Sequence, residues 1–157
     1  MNNSLSNKEL FYKLLKMYKR AVKEQNKLLL KKDELSTQLL SITSPNNPNK
    51  IKGTSPKTNI PYELYDKFDD ISDILDLHQD YICTFEKGLQ NVNDGINLPY
   101  FQMYYLLDVS ISSLATNSNT TKSYLSKAFD DIIDDFVKNN RSALVGTYNK
   151  LLNYYKR

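Results

Sequence analysis

Apolar residues recur through the N-terminal part of the chain at the spacing of one helical face. They follow one another at intervals of three, four or seven positions, and they are Leu10, Leu14, Met17, Ala21, Leu28, Leu35 and Ile42. Just before this series, Ser6 and Glu9 have the spacing of a capping box, in which the two side chains satisfy N–H groups at a helix start. The pattern predicts a long amphipathic helix from Asn7 to about Ile42.

A second apolar series is more regular, because every step is three or four positions over four heptads. Its members are Leu64, Phe68, Ile71, Leu75, His78, Ile82, Phe85, Leu89 and Val92. This predicts a second long helix that starts near Pro61. The intervening residues 43–61 contain four of the five prolines and are predicted to be a linker. The two helices are expected to pack as an antiparallel hairpin or as a coiled coil between protomers.

Shorter helices are predicted in the C-terminal part of the chain. Asn97 is a candidate N-cap with Pro99 in the first turn, so a short helix is expected over residues 100–107. A separate last helix is expected over residues 142–155. The predicted fold is all-α: a long two-helix hairpin or coiled coil followed by a C-terminal helix-turn-helix tri-helical domain. The predicted segments are 1–42 (N-terminal amphipathic helix), 43–61 (Pro/Asn-rich linker), 62–95 (acidic heptad helix) and 96–157 (helix-turn-helix domain with a C-terminal helical extension).

The helix-turn-helix prediction comes from the segment ISSLATNSNTTKSYLSKAF, residues 111–129. Such a motif needs a small residue where the helices cross, a turn residue that tolerates positive φ, and an apolar residue six positions later. Ala115, Asn119 and Leu125 have these spacings, and Asn adopts positive φ more readily than most residues. The second helix of the segment is therefore a candidate DNA-recognition helix.

The outward side chains at the start of that helix are hydroxyls and ammonium groups, which suit phosphate and base-edge contacts. Thr121, Lys122 and Ser126 are expected to contact bases. The expected phosphate and sugar contacts are Thr120, Ser123 and Lys127, together with the Tyr124 hydroxyl. A tri-helical core whose polar face is only solvated is the alternative. Four carboxylates follow, and they must face away from DNA or form an acidic patch for a protein partner: Asp130, Asp131, Asp134 and Asp135.

Charge is segregated along the chain despite a net charge of only +3. Residues 1–32 carry nine Lys or Arg and two acidic residues, whereas residues 62–96 carry nine acidic residues and two Lys. The two segments could pair with each other, or the basic one could bind nucleic acid.

Several functional classes lack their characteristic residues in this sequence. There is one cysteine, one histidine (His78, expected to be buried with a local partner) and no Gly-rich phosphate loop, so we expect no enzyme activity, metal or cofactor. Adjacent carboxylates such as Asp69 and Asp70 point to different sides of a helix, so they are not expected to act as a catalytic pair.

No apolar run approaches the length of a membrane span, and the N-terminus lacks the apolar core of a signal peptide. A cytoplasmic protein without membrane contact is expected.

The order of a charged helix, the break "ITSPNNP", an acidic-to-apolar helix and the segment "TKSYLSKAF" resembles the RinA/ArpU-like late-gene transcription regulators of phages of Gram-positive bacteria. That resemblance covers roughly residues 8–136 and extends to the sigma-region-4-like recognition helix. It implies binding at a phage promoter in the host cytoplasm, activation of host RNA polymerase, and no catalysis.

Two hypotheses of function follow. The first is a sequence-specific DNA-binding transcription regulator, most simply a dimer with double-stranded DNA and host RNA polymerase as partners. The second is a non-catalytic helical assembly or adaptor protein that uses the two heptad seams for protein–protein interaction.

Overall fold

The computed structural model describes residues 5–43 and 62–157, and within these residues the chain is all-α, with no strand. The helices are α1 (Asn7–Thr43), α2 (Tyr62–Gln90), α3 (Leu98–Leu106), α4 (Ile111–Asn117) and α5 (Lys122–Tyr155). The all-α prediction is confirmed. The predicted linker falls outside the described residues except for Thr43, which ends α1. None of these helices is long and apolar enough to cross a lipid bilayer.

The start of α1 shows one of the two N–H contacts of the predicted capping box, and the Glu9 carboxylate pairs with the Ser6 side chain instead of a backbone N–H. The backbone N–H of Glu9 donates to Ser6 Oγ at 3.2 Å, and the Ser6 hydroxyl donates to Glu9 Oε1 at 3.1 Å. The predicted seam is buried from Leu10 to Leu28, but Phe11 and Leu15 are buried as well. The buried face is therefore wider than the heptad seam, because α1 packs against several helices in this region.

The link between α2 and α3 differs in detail from the sequence prediction. Asn97 occupies the N-cap position of α3 with Pro99 in the first turn, but its side chain makes no capping hydrogen bond. Its Nδ2 group instead donates to Asp94 Oδ2 at 2.9 Å and to the Tyr124 hydroxyl at 3.1 Å. The backbone of Asn97 is helical rather than extended, so its side chain points to these two partners.

The C-terminal region contains one helix where two were predicted. Residues 122–155 form the continuous 34-residue helix α5, so the separate last helix over residues 142–155 is wrong. The polar run around Asn139 and Asn140 contains no Pro or Gly, and Asn140 Nδ2 donates to the carbonyl of Phe136 at 2.8 Å. Burial of Phe136, Val137 and Leu144 on both sides of that run holds the helix together.

The chain divides into two compact units, and each contains part of α1 and part of α2. The first unit consists of Met1–Ala21 and Asp80–Arg157, and the second is Val22–Gln79. In the second unit, Gln25 and Gln79 are hydrogen bonded, and Lys32 Nζ lies 5.2 Å from the centre of the Phe68 ring. Here His78 is fully buried, and its Nδ1 lies 2.7 Å from the carbonyl oxygen of Ile74, in agreement with the prediction.

Aromatic rings from four helices form the core of the first unit. The Phe11 ring is central, with centroid distances of 6.3 Å to Phe85 of α2, 5.5 Å to Phe101 of α3 and 5.7 Å to Phe136 of α5. The Tyr81 hydroxyl donates to the carbonyl of Leu14 at 2.5 Å, which satisfies a buried polar group. This core fixes α3 and α5, and thereby positions the exposed surface around the start of α5.

Candidate nucleic-acid interface

The predicted helix-turn-helix segment contains a seven-residue helix, a four-residue connection and the start of α5. Ser110 caps α4, because its side chain accepts a hydrogen bond from the backbone N–H of Ser113 at 3.2 Å. Leu114 and Ala115 are the buried residues of α4. Ala115 is 6% exposed, so a larger side chain at this position would have to displace its neighbours.

The connection between α4 and α5 is held by backbone hydrogen bonds. Asn119 has φ 57°, the left-handed conformation that was expected at this position. The next residue is bonded back to α4, since the N–H of Thr120 donates to the carbonyl of Ala115 at 3.0 Å. The Ser118 hydroxyl also donates to the carbonyl of Leu114 at 2.7 Å. The same carbonyl accepts the backbone N–H of Ser118 at 3.0 Å, so the end of α4 is closed by both the backbone and the side chain of its C-cap residue.

The first turns of α5 follow from a second cap. Thr121 is the N-cap, and its Oγ1 accepts from the backbone N–H of Tyr124 at 3.0 Å. Leu125 is 0% exposed, as its spacing from Asn119 predicts. Ala128 and Phe129 continue the buried face of α5.

Six of the seven predicted site residues are exposed at the start of α5. They are Thr121, Lys122, Ser123, Tyr124, Ser126 and Lys127. Thr120 is half-buried, and its hydroxyl is 2.7 Å from the hydroxyl of Ser118. The Tyr124 hydroxyl accepts from Asn97, and the Thr121 hydroxyl caps the helix. Three of the seven therefore have a structural hydrogen bond that sequence reasoning did not anticipate.

The other four side chains surround a shallow surface depression. Lys122, Ser123, Ser126 and Lys127 line it together with two further residues, Ile111 and Asp130. The arrangement offers two ammonium groups and two hydroxyls on one face of α5. These groups can donate hydrogen bonds to phosphate oxygens and to acceptor atoms on base edges.

Asp130 at the edge of this depression is partly neutralised by α1. Lys8 Nζ lies 3.3 Å from Asp130 Oδ1, and the hydrogen bond to this carboxylate raises the pKa of Lys8 above its ordinary value. Both side chains are about half exposed, so the pair contributes little to stability. Its main consequence is to reduce the repulsion between Asp130 and an approaching phosphate.

Two of the other three carboxylates are also engaged within the first unit. Asp134 Oδ1 accepts from Asn7 Nδ2 at 3.3 Å. Asp135 accepts from the backbone N–H of Asn93 at 2.6 Å and from Asn139 Nδ2 at 2.6 Å. These aspartates connect α5 to the start of α1 and to the loop that follows α2, which is a structural role that the sequence did not reveal. Asp131 is exposed.

No group of three or more His, Cys, Asp or Glu side chains in the described residues is arranged to hold a metal ion. Comparisons of this chain with protein-family models, with curated proteins and with solved structures give no match. Function must therefore be inferred from the chemistry of the site itself.

Proposed function

We propose that the protein is a sequence-specific DNA-binding transcription regulator whose reading element is the α4–α5 segment, residues 111–129. The observation that carries the proposal is the combination of a buried Ala115, positive φ at Asn119 and a buried Leu125 at helix-turn-helix spacing. In this interpretation α4 lies across the groove, and the first two turns of α5 enter it.

Lys122, Ser123, Ser126 and Lys127 are the principal DNA contacts in this proposal. Lysine can donate to guanine O6 and N7, and a serine hydroxyl can contact either base edges or phosphate. The N-terminus of α5 adds its partial positive charge, which favours a phosphate group near Lys122. Tyr124 and Thr121 contribute mainly by holding the helix in place, since their hydroxyls already have partners.

The finer architecture belongs to the same proposal. Residues of α1 and α2 form a two-helix hairpin, and α3, α4 and the first turns of α5 form a tri-helical DNA-binding domain. A dimer would present two such domains to half-sites about one helical turn apart. Activation of host RNA polymerase at a phage promoter is the role that the sequence resemblance suggests, with the cytoplasm as its location.

A selection experiment tests the proposal by letting the protein choose its own target site. The purified protein is incubated with a random duplex library, and the bound fraction is amplified and sequenced over several rounds. The wild type is expected to enrich one motif, and Lys122→Ala/Lys127→Ala is expected to lose that enrichment. Each lost base contact costs about 1–3 kcal/mol of discrimination.

The control variant Lys67→Ala/Lys87→Ala removes the same charge from exposed positions of α2 and should enrich the wild-type motif. Enrichment of no motif by the wild type, or of the same motif by the Lys122/Lys127 variant, would contradict the proposal.

A helical assembly or adaptor function is the second candidate, and one observation favours it. The second unit exposes several large apolar side chains, namely Leu29, Leu30, Leu40, Tyr62 and Tyr65, which are 41–85% exposed. Large apolar side chains that remain exposed are candidates for burial against another protein. In sedimentation experiments, Leu30→Lys/Leu40→Lys should then lower the apparent mass, whereas Lys122→Ala/Lys127→Ala should leave it unchanged.

A further inference from the structure

Two segments of the first unit contain basic residues and no acidic ones. Residues 10–21 of α1 and residues 136–157, at the C-terminal end of α5, contain no Asp or Glu. Their nine basic residues are all exposed: Lys13, Lys16, Lys19, Arg20, Lys138, Arg141, Lys150, Lys156 and Arg157. A concentration of like charge of this kind destabilises the folded chain, which makes it a candidate for recognition of an anion.

A specific contact brings part of the two segments together. The Arg20 guanidinium carbon lies 3.7 Å from the centre of the Tyr155 ring, a cation–π arrangement. Lys16 and Lys13 are one and two helical turns before Arg20, and Lys156 and Arg157 directly follow Tyr155. We name these five side chains (Lys13, Lys16, Arg20, Lys156 and Arg157) the α1/α5 basic surface.

The charged groups of this surface form no ion pair with the part of the chain that the structure describes. In residues 5–43 and 62–157 the ion pairs join Lys8 to Asp130, Lys19 to Asp108 and Lys27 to Glu24, so none involves the α1/α5 basic surface. The expected pairing of basic α1 with acidic α2 is therefore not seen as ion pairs in the described residues. The two helices are joined instead by ring contacts and hydrogen bonds, among them the stacked rings of Tyr18 and Phe85 and the hydrogen bond from the Tyr18 hydroxyl to Glu86 Oε2 at 2.7 Å.

The surroundings of the surface discriminate among polyanions. The large apolar side chains exposed in the first unit are Leu5, Tyr12, Ile96, Met103, Leu107 and Tyr124. Of these, Tyr12 alone lies in residues 10–21 or 136–157, and its ring is already in contact with Tyr105 of α3, at a centroid distance of 6.1 Å. Membrane-surface helices insert exposed apolar side chains, and protein interfaces use aromatic and apolar anchors. A surface of cations without such anchors suits nucleic acid, where phosphate contacts supply most of the affinity.

The geometry points to the α1/α5 basic surface as a second, sequence-independent binding site for the phosphate backbone of duplex DNA. This inference rests on the proposed function in taking DNA as the partner. Lys156 lies about 50 Å along α5 from Lys122, at about 1.5 Å per residue, so the surface contacts a different part of the duplex or a different duplex. In this arrangement the α1/α5 basic surface supplies affinity for DNA of any sequence, and the start of α5 supplies sequence discrimination.

Fluorescence anisotropy with one labelled 30-base-pair duplex of arbitrary sequence tests the inference between 50 and 200 mM salt. Lys16→Gln/Lys156→Gln is expected to bind roughly tenfold or more weakly at low salt, with a slope of log affinity against log salt smaller by about 2. The matched control is Lys67→Gln/Lys87→Gln, which should bind like the wild type. Arg20 is left unchanged because its ring contact joins the two helices.

The outcomes separate this inference from the proposed function. If Lys16→Gln/Lys156→Gln binds like the wild type while Lys122→Ala/Lys127→Ala loses motif enrichment, the basic surface is wrong and the reading element stands. The reverse pattern supports the basic surface and contradicts the reading element. No DNA binding by the wild type at 50 mM salt overturns both. Equal binding to poly-glutamate or to vesicles with 30% phosphatidylserine overturns the assignment to DNA.

Discussion

Two glycines in helix interiors have different surroundings, which makes them a matched pair. A Cβ atom at Gly88 of α2 would lie 2.8 Å from Phe136 Cε1 and 3.0 Å from Asn140 Cγ, whereas a Cβ at Gly146 of α5 would meet no atom within 4 Å. Because Phe136 is fully buried, it has little room to move away. Gly88 is therefore the residue that lets α2 and α5 approach closely.

We expect Gly88→Ala to lower the free energy of unfolding by about 1–3 kcal/mol, because overpacking outweighs the gain in helix propensity. Gly146→Ala should raise it by about 0.5–1 kcal/mol through propensity alone. Urea unfolding followed by circular dichroism measures both changes. Stabilisation by both substitutions would show that α2 and α5 are not in close contact at Gly88.

Single residues also show where sequence reasoning fails. The positive φ of Asn119 and the buried Leu125 were predicted because each depends on local spacing. The burial of Phe11 and the hydrogen bond from Asn97 to Tyr124 were missed because both depend on residues far away in sequence. Among the occupied hydroxyls of the candidate site, that of Tyr124 belongs to the same class, whereas the partners of Thr120 and Thr121 are close in sequence.

At the scale of elements, helix starts were easier to predict than helix continuity. The start of α1 was predicted from Ser6 and Glu9, since a cap is a local arrangement of three or four residues. Ser110 caps α4 in an equally local way. The continuity of α5 through Asn139 and Asn140 depends on tertiary burial on both sides, which polarity along the sequence obscures.

The seven residues of α4 should depend strongly on their cap, because so short a helix has little stability of its own. Ser110→Ala removes the acceptor for the N–H of Ser113 and should cost about 1 kcal/mol. Amide hydrogen exchange should accelerate in residues 111–117 more than in α5. The control is Thr116→Ala, which removes a hydroxyl bonded to the carbonyl of Ser112 in the same helix but leaves the cap intact. Equal acceleration in both variants would contradict a capping role.

At the scale of the whole molecule, the sequence shows how charge is distributed but not how it is used. The excess of basic residues in 1–32 is evident from composition, yet sequence alone could not distinguish pairing with α2 from an open surface. The structure shows that Lys13, Lys16 and Arg20 are exposed and that Asp130 and Asp134 contact the start of α1. The sequence likewise predicts which residues belong to the candidate site. It does not predict the contacts that change their charge environment, such as the pairing of Asp130 with Lys8.

Burial of tyrosines predicts how the stability of the molecule depends on pH. Burial is the main factor that raises the pKa of Tyr18, Tyr81 and Tyr105 above the ordinary value near 10, and the Glu86 carboxylate adds to it at Tyr18. A raised pKa in the folded state means that the unfolded chain loses these protons first. The stability that depends on these protonated tyrosines is fully present below pH 10. It declines as the pH rises from there towards the raised pKa values of the folded state.

We therefore expect the free energy of unfolding to fall above pH 10, by up to about 1.4 kcal/mol per pH unit for each tyrosine that ionises only when unfolded. Tyr81→Phe should cost about 1 kcal/mol at pH 7 through loss of the hydrogen bond to Leu14. The free energy of unfolding of this variant should also fall less steeply above pH 10, because one proton fewer is lost on unfolding. Urea unfolding at pH 7, 9 and 10.5 measures this, with tyrosinate absorbance at 295 nm as an independent record of ionisation. The same pH dependence in the wild type and in Tyr81→Phe would show that this hydroxyl ionises equally in both states, and that the core around Phe11 admits water.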